Sequence, residues 1–193
     1  MPQPDPVALF AEIFAEAKAL DIENPNAMHL ATVDADGRAS VRVVLLKGFD
    51  EHGFVFYTNL ESGKGRALAA NPRAEINFYW RELARQIRIA GSVEAVTSAE
   101  ADRYFASRPR LSQLGAWASR QSRELPSSAR LLADVAKYEG RYLSRPVPRP
   151  DHWSGFRLVP ERFEFWHAKP FRLHQRIEYR RSAGGWRAQA LYP

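Results

Sequence analysis

Apolar residues near the start of this chain repeat at helical spacing, and those that follow alternate with polar ones. Leu9, Phe10, Ile13, Phe14, Ala17 and Leu20 fall at three- and four-residue intervals, so a helix is predicted over about 5–20, with Asp5 as its cap and Pro6 in its first turn. "NPNA" breaks that rhythm. From Met28 the text reads as strands with short turns: "MHLATV", "ASVRVVLLKGF", "FVFYTN", "RAEINFYW" and "RQIRIAGSVEAV". Between them, "SGKGRALAANP" predicts a short helix opened by Ser62 and stopped before Pro72. Barrel strands are thus expected over about 28–96. A helical insertion follows over about 98–143. It opens with the capping box Thr97-Ser98-Ala99-Glu100, runs through Tyr104 and is halted by Pro109. In "SARLLADVAKYEGRYL", the residues Leu131, Leu132, Val135, Tyr138 and Tyr142 are expected on one helical side. "RPVPRPDHW" is a connector, and strands resume over about 152–191 as "FRLVP", "RFEFWHA", "FRLHQRIEYRR" and "WRAQALYP". The sum is one domain, 1–193, mostly antiparallel β with flanking helices, as a barrel or strongly coiled sheet.

Composition narrows the chemistry. The 193 residues are 45% hydrophobic and 26% charged, with no cysteine, a net charge of +6 and a pI near 9.8. Disulfides, thiolate metal sites and cysteine nucleophiles are excluded. No apolar run approaches the roughly 20 residues of a bilayer span, and the start lacks a secretory pattern, so a cytoplasmic location is expected. The basic balance points to anionic partners, either nucleic acid or phosphorylated small molecules. Its cations stand singly among strands and turns, which favours discrete phosphate pockets over a nucleic-acid track.

Four places carry candidate chemistry. Ser62-Gly63-Lys64-Gly65 lies at a strand-to-helix junction, where free N–H groups and a lysine make a phosphate site; a capped helix with a solvated lysine fits it equally. Arg42 and Lys47 bracket an apolar run and, five positions apart, point to opposite faces of a regular strand. Tyr104, Arg108 and Ser112 are spaced by four at a predicted helix end, as a phosphate grip or as a basic helix terminus. Arg172, His174 and Arg176 alternate, so a strand would place all three on one face. No metal-ligand pair, nucleophile elbow, Walker loop or dinucleotide fingerprint is present. Phosphate grips without a nucleophile or metal suit an enzyme whose cofactor performs the chemistry.

Taken in order, "RVVLLK", "FYTNLES-K", "RQIRI", "YFASRPRLSQLGAWAS-QS", "HWSGFR", "EFW" and "FRLHQR" resemble the pyridoxine/pyridoxamine 5′-phosphate oxidase family over nearly the whole chain. The resemblance implies an FMN-binding split β-barrel, active as a homodimer with FMN at the subunit interface. It implies that Arg42 and Lys64 hold the FMN phosphate. Val43, Val44, Leu45, Leu46, Lys47, Tyr57, Thr58, Gln86, Gln121, Ser122, Trp166 and Arg176 would frame the rest. Lys47, Tyr104, Arg108 and Ser112 would grip the substrate phosphate, with Arg172 and His174 as the catalytic pair against the pyridine ring. The implied reaction oxidises pyridoxine or pyridoxamine 5′-phosphate to pyridoxal 5′-phosphate by hydride transfer to the flavin, with O2 reduced to H2O2. Neither nucleic acid, membrane nor metal is implied. Gly63, Gln175 and Ala190 stand where the family usually has arginine, aspartate and arginine. The loss at Gly63 is worth on the order of 1.5–3 kcal/mol of FMN binding, and Arg66 is the candidate replacement. Two alternatives share the fold: a flavin oxidase of a phenazine-type ring, and a weakened FMN- or pyridoxal phosphate-binding protein.

Overall fold

The computed structural model describes residues 5–20 and 22–193. Helix α1 spans Pro6–Ala19, with the Asp5 carboxylate accepting the Val7 N–H. Strands β1 (Ala27–Val33), β2 (Ala39–Leu45), β3 (Gly48–Asp50) and β4 (Gly53–Asn59) precede α2 (Gly63–Ala70), and β5 (Arg73–Trp80) and β6 (Arg85–Ala95) follow it. Helices α3 (Ser98–Ser107), α4 (Arg110–Ala118) and α5 (Ser128–Arg141) form the insertion. The chain closes with β7 (Trp153–His167), β8 (Gln175–Ser182) and β9 (Gly185–Leu191).

All strand pairs are antiparallel, in the order β2-β1-β5-β6-β7-β4-β3, with β8 on β7 and β9 on β8. The two ends of that path, β2 and β3, are joined only by Leu46 and Lys47, a link that reaches roughly 10 Å at full stretch. The sheet must therefore curl until its edges meet. At the seam, Leu46 N–H donates to the Asn26 carbonyl and Lys47 N–H to the Val55 carbonyl, both at 2.9 Å. Strand β7 is the trunk of this split barrel. Its first part pairs with β4 and its last part with β8, while β6 runs along its other edge.

The structure departs from the sequence expectation in several places. The expected strand 39–49 breaks at Leu46–Lys47 into β2 and β3, because the chain must turn to close the barrel. "FRLVP" and "RFEFWHA" are one strand, since Pro160 sits at a β-bulge where the β6–β7 register shifts and needs no ladder N–H. Gly91 faces that bulge, where a Cβ would lie 1.9 Å from the Val159 carbonyl oxygen. Leu20 caps α1 and is exposed, and Leu132 is 69% exposed because it lies one position off the stripe made by Leu131, Val135, Tyr138 and Tyr142. Helix α4, hidden in the insertion, starts at Pro109 without any side-chain cap to announce it.

Aromatic packing fills the barrel. Phe10, Ile13, Phe14 and Ala17 of α1 are buried, and the Phe10 ring lies 4.9 Å from Phe54 and 5.2 Å from Phe78. A second cluster of Phe105, Leu114, Tyr142, Val147 and Trp153 fastens the helical insertion to the start of β7. Gly91→Ala should lower unfolding free energy by about 2 kcal/mol or more, a fall of roughly 4–8 °C in melting temperature. Denaturant and thermal unfolding measure this, and wild-type stability would contradict the bulge geometry.

Candidate functional site

A cavity of about 600 Å³ opens at the seam, between β2 and β4 and beneath α2, α3 and α4. Val43, Val44 and Leu45 of β2 and Lys47 of the seam line one side. Tyr57 and Thr58 of β4, with Lys64 and Gln121, line another. Tyr104, Arg108 and Ser112 come from the insertion. Three separate sequence signals thus converge on one space. The edge position of β2 explains why its apolar residues are partly uncovered, with Val43 59% exposed.

At one end, Ser62 caps α2 by accepting the Gly65 N–H at 3.2 Å. The Lys64 ammonium donates to Thr58 Oγ1 at 3.2 Å and to Gln121 Oε1 at 3.0 Å. Burial, and then the charge of Arg42, pull the Lys64 pKa below its ordinary value. Arg42 itself, lowered by burial, donates to the Leu30 carbonyl, Thr32 Oγ1 and Ser40 Oγ, all neutral acceptors. Among the described residues, neither cation has a carboxylate within ion-pair reach. Two neighbouring cations solvated only by neutral dipoles are chemically suited to a multiply charged anion, although Arg42 itself is not among the residues lining the cavity.

At the other end, Arg108 lies just past the last turn of α3, with extended backbone, so its placement owes nothing to helical spacing. Pro109 turns the chain into α4, which brings Ser112 to the same cavity. The Arg108 guanidinium sits 4.8 Å from the Trp153 ring and 5.4 Å from Phe105, and its Nη1 is buried without a hydrogen-bond partner. Burial holds its pKa down. The Lys47 amine stands 5.9 Å over the Tyr104 ring. Between these cations runs an aromatic wall: Tyr57 stacks on Tyr104 at 4.0 Å and on Trp153 at 5.4 Å. Gly155, opposite Tyr57 on β7, permits this, since a Cβ there would lie 2.6 Å from the tyrosine ring. Trp153 and Asn59 line the cavity without having been singled out in the sequence. Among the described residues no Asp, Glu or His lines it, so the lining side chains are suited to binding and orienting and supply no carboxylate or imidazole base.

The remaining predicted residues lie elsewhere in this chain. Gln86, Trp166 and Arg176 form one row across β6, β7 and β8. Counted along the sheet, β6 is three strand spacings from β2, roughly 14 Å. Arg176 donates to Glu164 Oε1 at 2.8 Å and to the Tyr192 carbonyl at 2.9 Å. The expected strand face of Arg172, His174 and Arg176 is not formed. Pro170–Arg172 is a single 3-10 turn with positive φ at Phe171 and Arg172, and β8 begins only at Gln175. Arg172 is exposed, and the His174 ring rests 4.7 Å from Trp166. Leu46 is buried in the barrel core rather than in the cavity wall. Ser122, at φ 67°, accepts the Gly63 N–H at 3.1 Å and borders a neighbouring depression. Arg66, the candidate replacement for the missing arginine, donates to the Glu61 carbonyl and is not among the residues lining the cavity.

Comparison with known proteins agrees with this geometry. The family model described as pyridoxamine 5′-phosphate oxidase matches residues 13–142, and one described as the pyridoxine 5′-phosphate oxidase C-terminal dimerisation region matches 153–193. A Myxococcus xanthus protein named pyridoxine/pyridoxamine 5′-phosphate oxidase is 59% identical, covering 98% of this chain and 92% of its own. A Rhodopseudomonas palustris protein of the same name is 56% identical, with 98% and 90% covered. Among solved structures, PhzG from Burkholderia lata, in complex with tetrahydrophenazine-1-carboxylic acid, superimposes with a TM-score of 0.93 at 35% identity, covering 100% of this chain and 94% of that one. A pyridoxamine 5′-phosphate oxidase-related, FMN-binding protein of Nostoc punctiforme shares the fold at a TM-score of 0.78 and 19% identity, with both chains fully covered at 100%. The curled antiparallel barrel, the seam cavity and these matches together make the chain a member of the pyridoxamine 5′-phosphate oxidase family.

Proposed function

We propose that the protein is an FMN-dependent oxidase converting pyridoxine or pyridoxamine 5′-phosphate to pyridoxal 5′-phosphate, with O2 reduced to H2O2. The observation that carries this reading is the shared cavity of Lys64 and Arg108, two partly desolvated cations without carboxylate partners, with Tyr57, Tyr104 and Trp153 lining the same space. The donor set fits FMN: Lys64, Arg42 and the capped start of α2 suit its phosphate, and Thr58 and Gln121 offer neutral polar groups beside it. Arg108, Lys47, Tyr104 and Ser112 then suit the substrate phosphate. Arg42 and Lys47, which a regular strand would send to opposite faces, serve different anions. Bound FMN supplies the two-electron acceptor that the side chains lack. The protein's part is to anchor each phosphate, align the rings against the wall, and keep the cations ready without reorganisation.

The active form in this reading is a homodimer. A second copy brings its row of Gln86, Trp166 and Arg176, with His174 and the exposed Arg172, against the open side of the cavity. The dimerisation region matched over 153–193 contains most of that row. A second reading, oxidation of a reduced phenazine-type ring, is favoured by the likeness to PhzG. It needs no phosphate, whereas Arg108 and Lys47 converge as a phosphate grip does.

Reconstituted with FMN, the protein should turn yellow and release peroxide with pyridoxine 5′-phosphate. Unphosphorylated pyridoxine should react roughly a hundredfold less efficiently, since two charge-assisted contacts are lost. Equal efficiency on both, or turnover of a dihydrophenazine carboxylate alone, would overturn the phosphate assignment. Arg108→Met should raise KM for the phosphorylated substrate by at least tenfold. The same change should stabilise the ligand-free protein by about 1 kcal/mol, because it removes an unsatisfied buried N–H. Thermal unfolding in phosphate-free buffer tests the second half. Gly63→Arg should tighten FMN binding about tenfold in equilibrium dialysis, as a Cβ there meets nothing nearer than Ser122 Oγ at 3.8 Å.

A further inference from the structure

Trp153 belongs to no grip read from the sequence, yet it touches the elements that hold one. It is the first residue of β7, 6% exposed, and its amide N–H is fixed by the Pro150 carbonyl. One contact of its ring is the Arg108 guanidinium at 4.8 Å; another is Tyr57, nearly parallel at 5° and 5.4 Å. Tyr57 carries Tyr104 at 4.0 Å, and the Lys47 amine lies over Tyr104 at 5.9 Å. The two cations assigned to the substrate phosphate thus flank one aromatic cluster, in which the Trp153 ring also lies 6.1 Å from Tyr104 and within 10° of parallel to it. No carboxylate holds Arg108, so its position is set by π faces instead. A carboxylate partner would neutralise the charge and compete with the incoming phosphate. An aromatic face attracts the cation and leaves its N–H groups free, and one of them is the buried, unpartnered Nη1.

We propose that Trp153 is the positioning residue that gives the cavity its preference for phosphorylated ligands, by holding Arg108 against its indole face and, through Tyr57 and Tyr104, fixing the wall on which Lys47 rests. This rests on the assignment of Arg108 and Lys47 to the substrate phosphate. Trp153 itself acts through those cations and takes no part in redox chemistry.

The test compares binding of pyridoxal 5′-phosphate and of unphosphorylated pyridoxal by FMN-loaded wild type, Trp153→Phe and Trp153→Leu, using equilibrium dialysis, with inorganic phosphate as competitor. Trp153→Leu should weaken pyridoxal 5′-phosphate binding roughly tenfold, the scale of one partly desolvated cation–π contact, and leave pyridoxal binding within twofold. Trp153→Phe, which keeps one aromatic face, should lose only about threefold, and it carries the test alone if the leucine variant does not fold. In steady state the loss should fall on KM and spare kcat. In an Arg108→Gln background, Trp153→Leu should add little, because the two act as one unit. Equal losses for phosphorylated and unphosphorylated ligand would show a merely structural tryptophan and overturn the proposal, as would no loss in either variant. A wild type with no preference for the phosphorylated ligand sinks the substrate assignment itself. A selective wild type with an equally selective leucine variant sinks the role of Trp153 alone.

Discussion

Positive charge held partly out of water with no negative charge beside it is the condition around which this molecule is built. Elsewhere the chain pairs its half-buried arginines. Arg88 bridges Glu75 and Glu164, Arg157 bridges Asp50 and Glu100, and Arg162 reaches Glu75 and Glu178. Arg42, Lys64 and Arg108 are treated differently, and receive hydroxyls, carbonyls, an amide and aromatic faces. Such arrangements are unfavourable on their own, and the aromatic core around Phe10 and the trunk strand supply the stability that tolerates them. In the proposed function an arriving phosphate would remove that penalty, so part of its affinity would already be stored in the protein.

Much of this was readable from residue order. The helical stripe from Leu9 to Ala17, the alternating strands and the capping box at Thr97 all reflect local rules, and they produced the corresponding elements. The cavity residues Lys47, Tyr57, Thr58, Lys64, Tyr104, Arg108, Ser112 and Gln121 were named from motifs, and the fold brings them to one space. What escaped depends on tertiary closure. Periodicity has no symbol for a strand that must break at Leu46–Lys47 so that two sheet edges can meet. Pro160 reads as a strand end, although a bulge admits it. The "FRLHQR" stretch alternates as a strand would, but Pro170 and the two left-handed residues after it turn the chain first. Trp153 was part of a recognised motif, yet an apolar ring carries no sign that its task is to seat a cation.

Division of labour along β7 ties these parts together. Its first residue, Trp153, stands under Arg108, its middle carries the bulge opposite Gly91, and its last part holds Glu164 and Trp166 beside Arg176. One strand thereby sets the spacing between the cavity and the row of Gln86, Trp166 and Arg176. Glu164 and Glu178 face each other on β7 and β8, and the surrounding arginines offset that repulsion.

The seam has a consequence beyond recognition. Strand β2 pairs only with β1, and β3 only with β4, so the curled sheet keeps two free rims, side by side but not laddered together. Free rims are where strands from other molecules can add, and Val41, Val43 and Leu45 make one of them greasy. Under the proposed function, a guest lodged between β2 and β4 would shield that rim from strangers. Occupancy would then double as protection against clumping, and a starved chain would be the one most at risk.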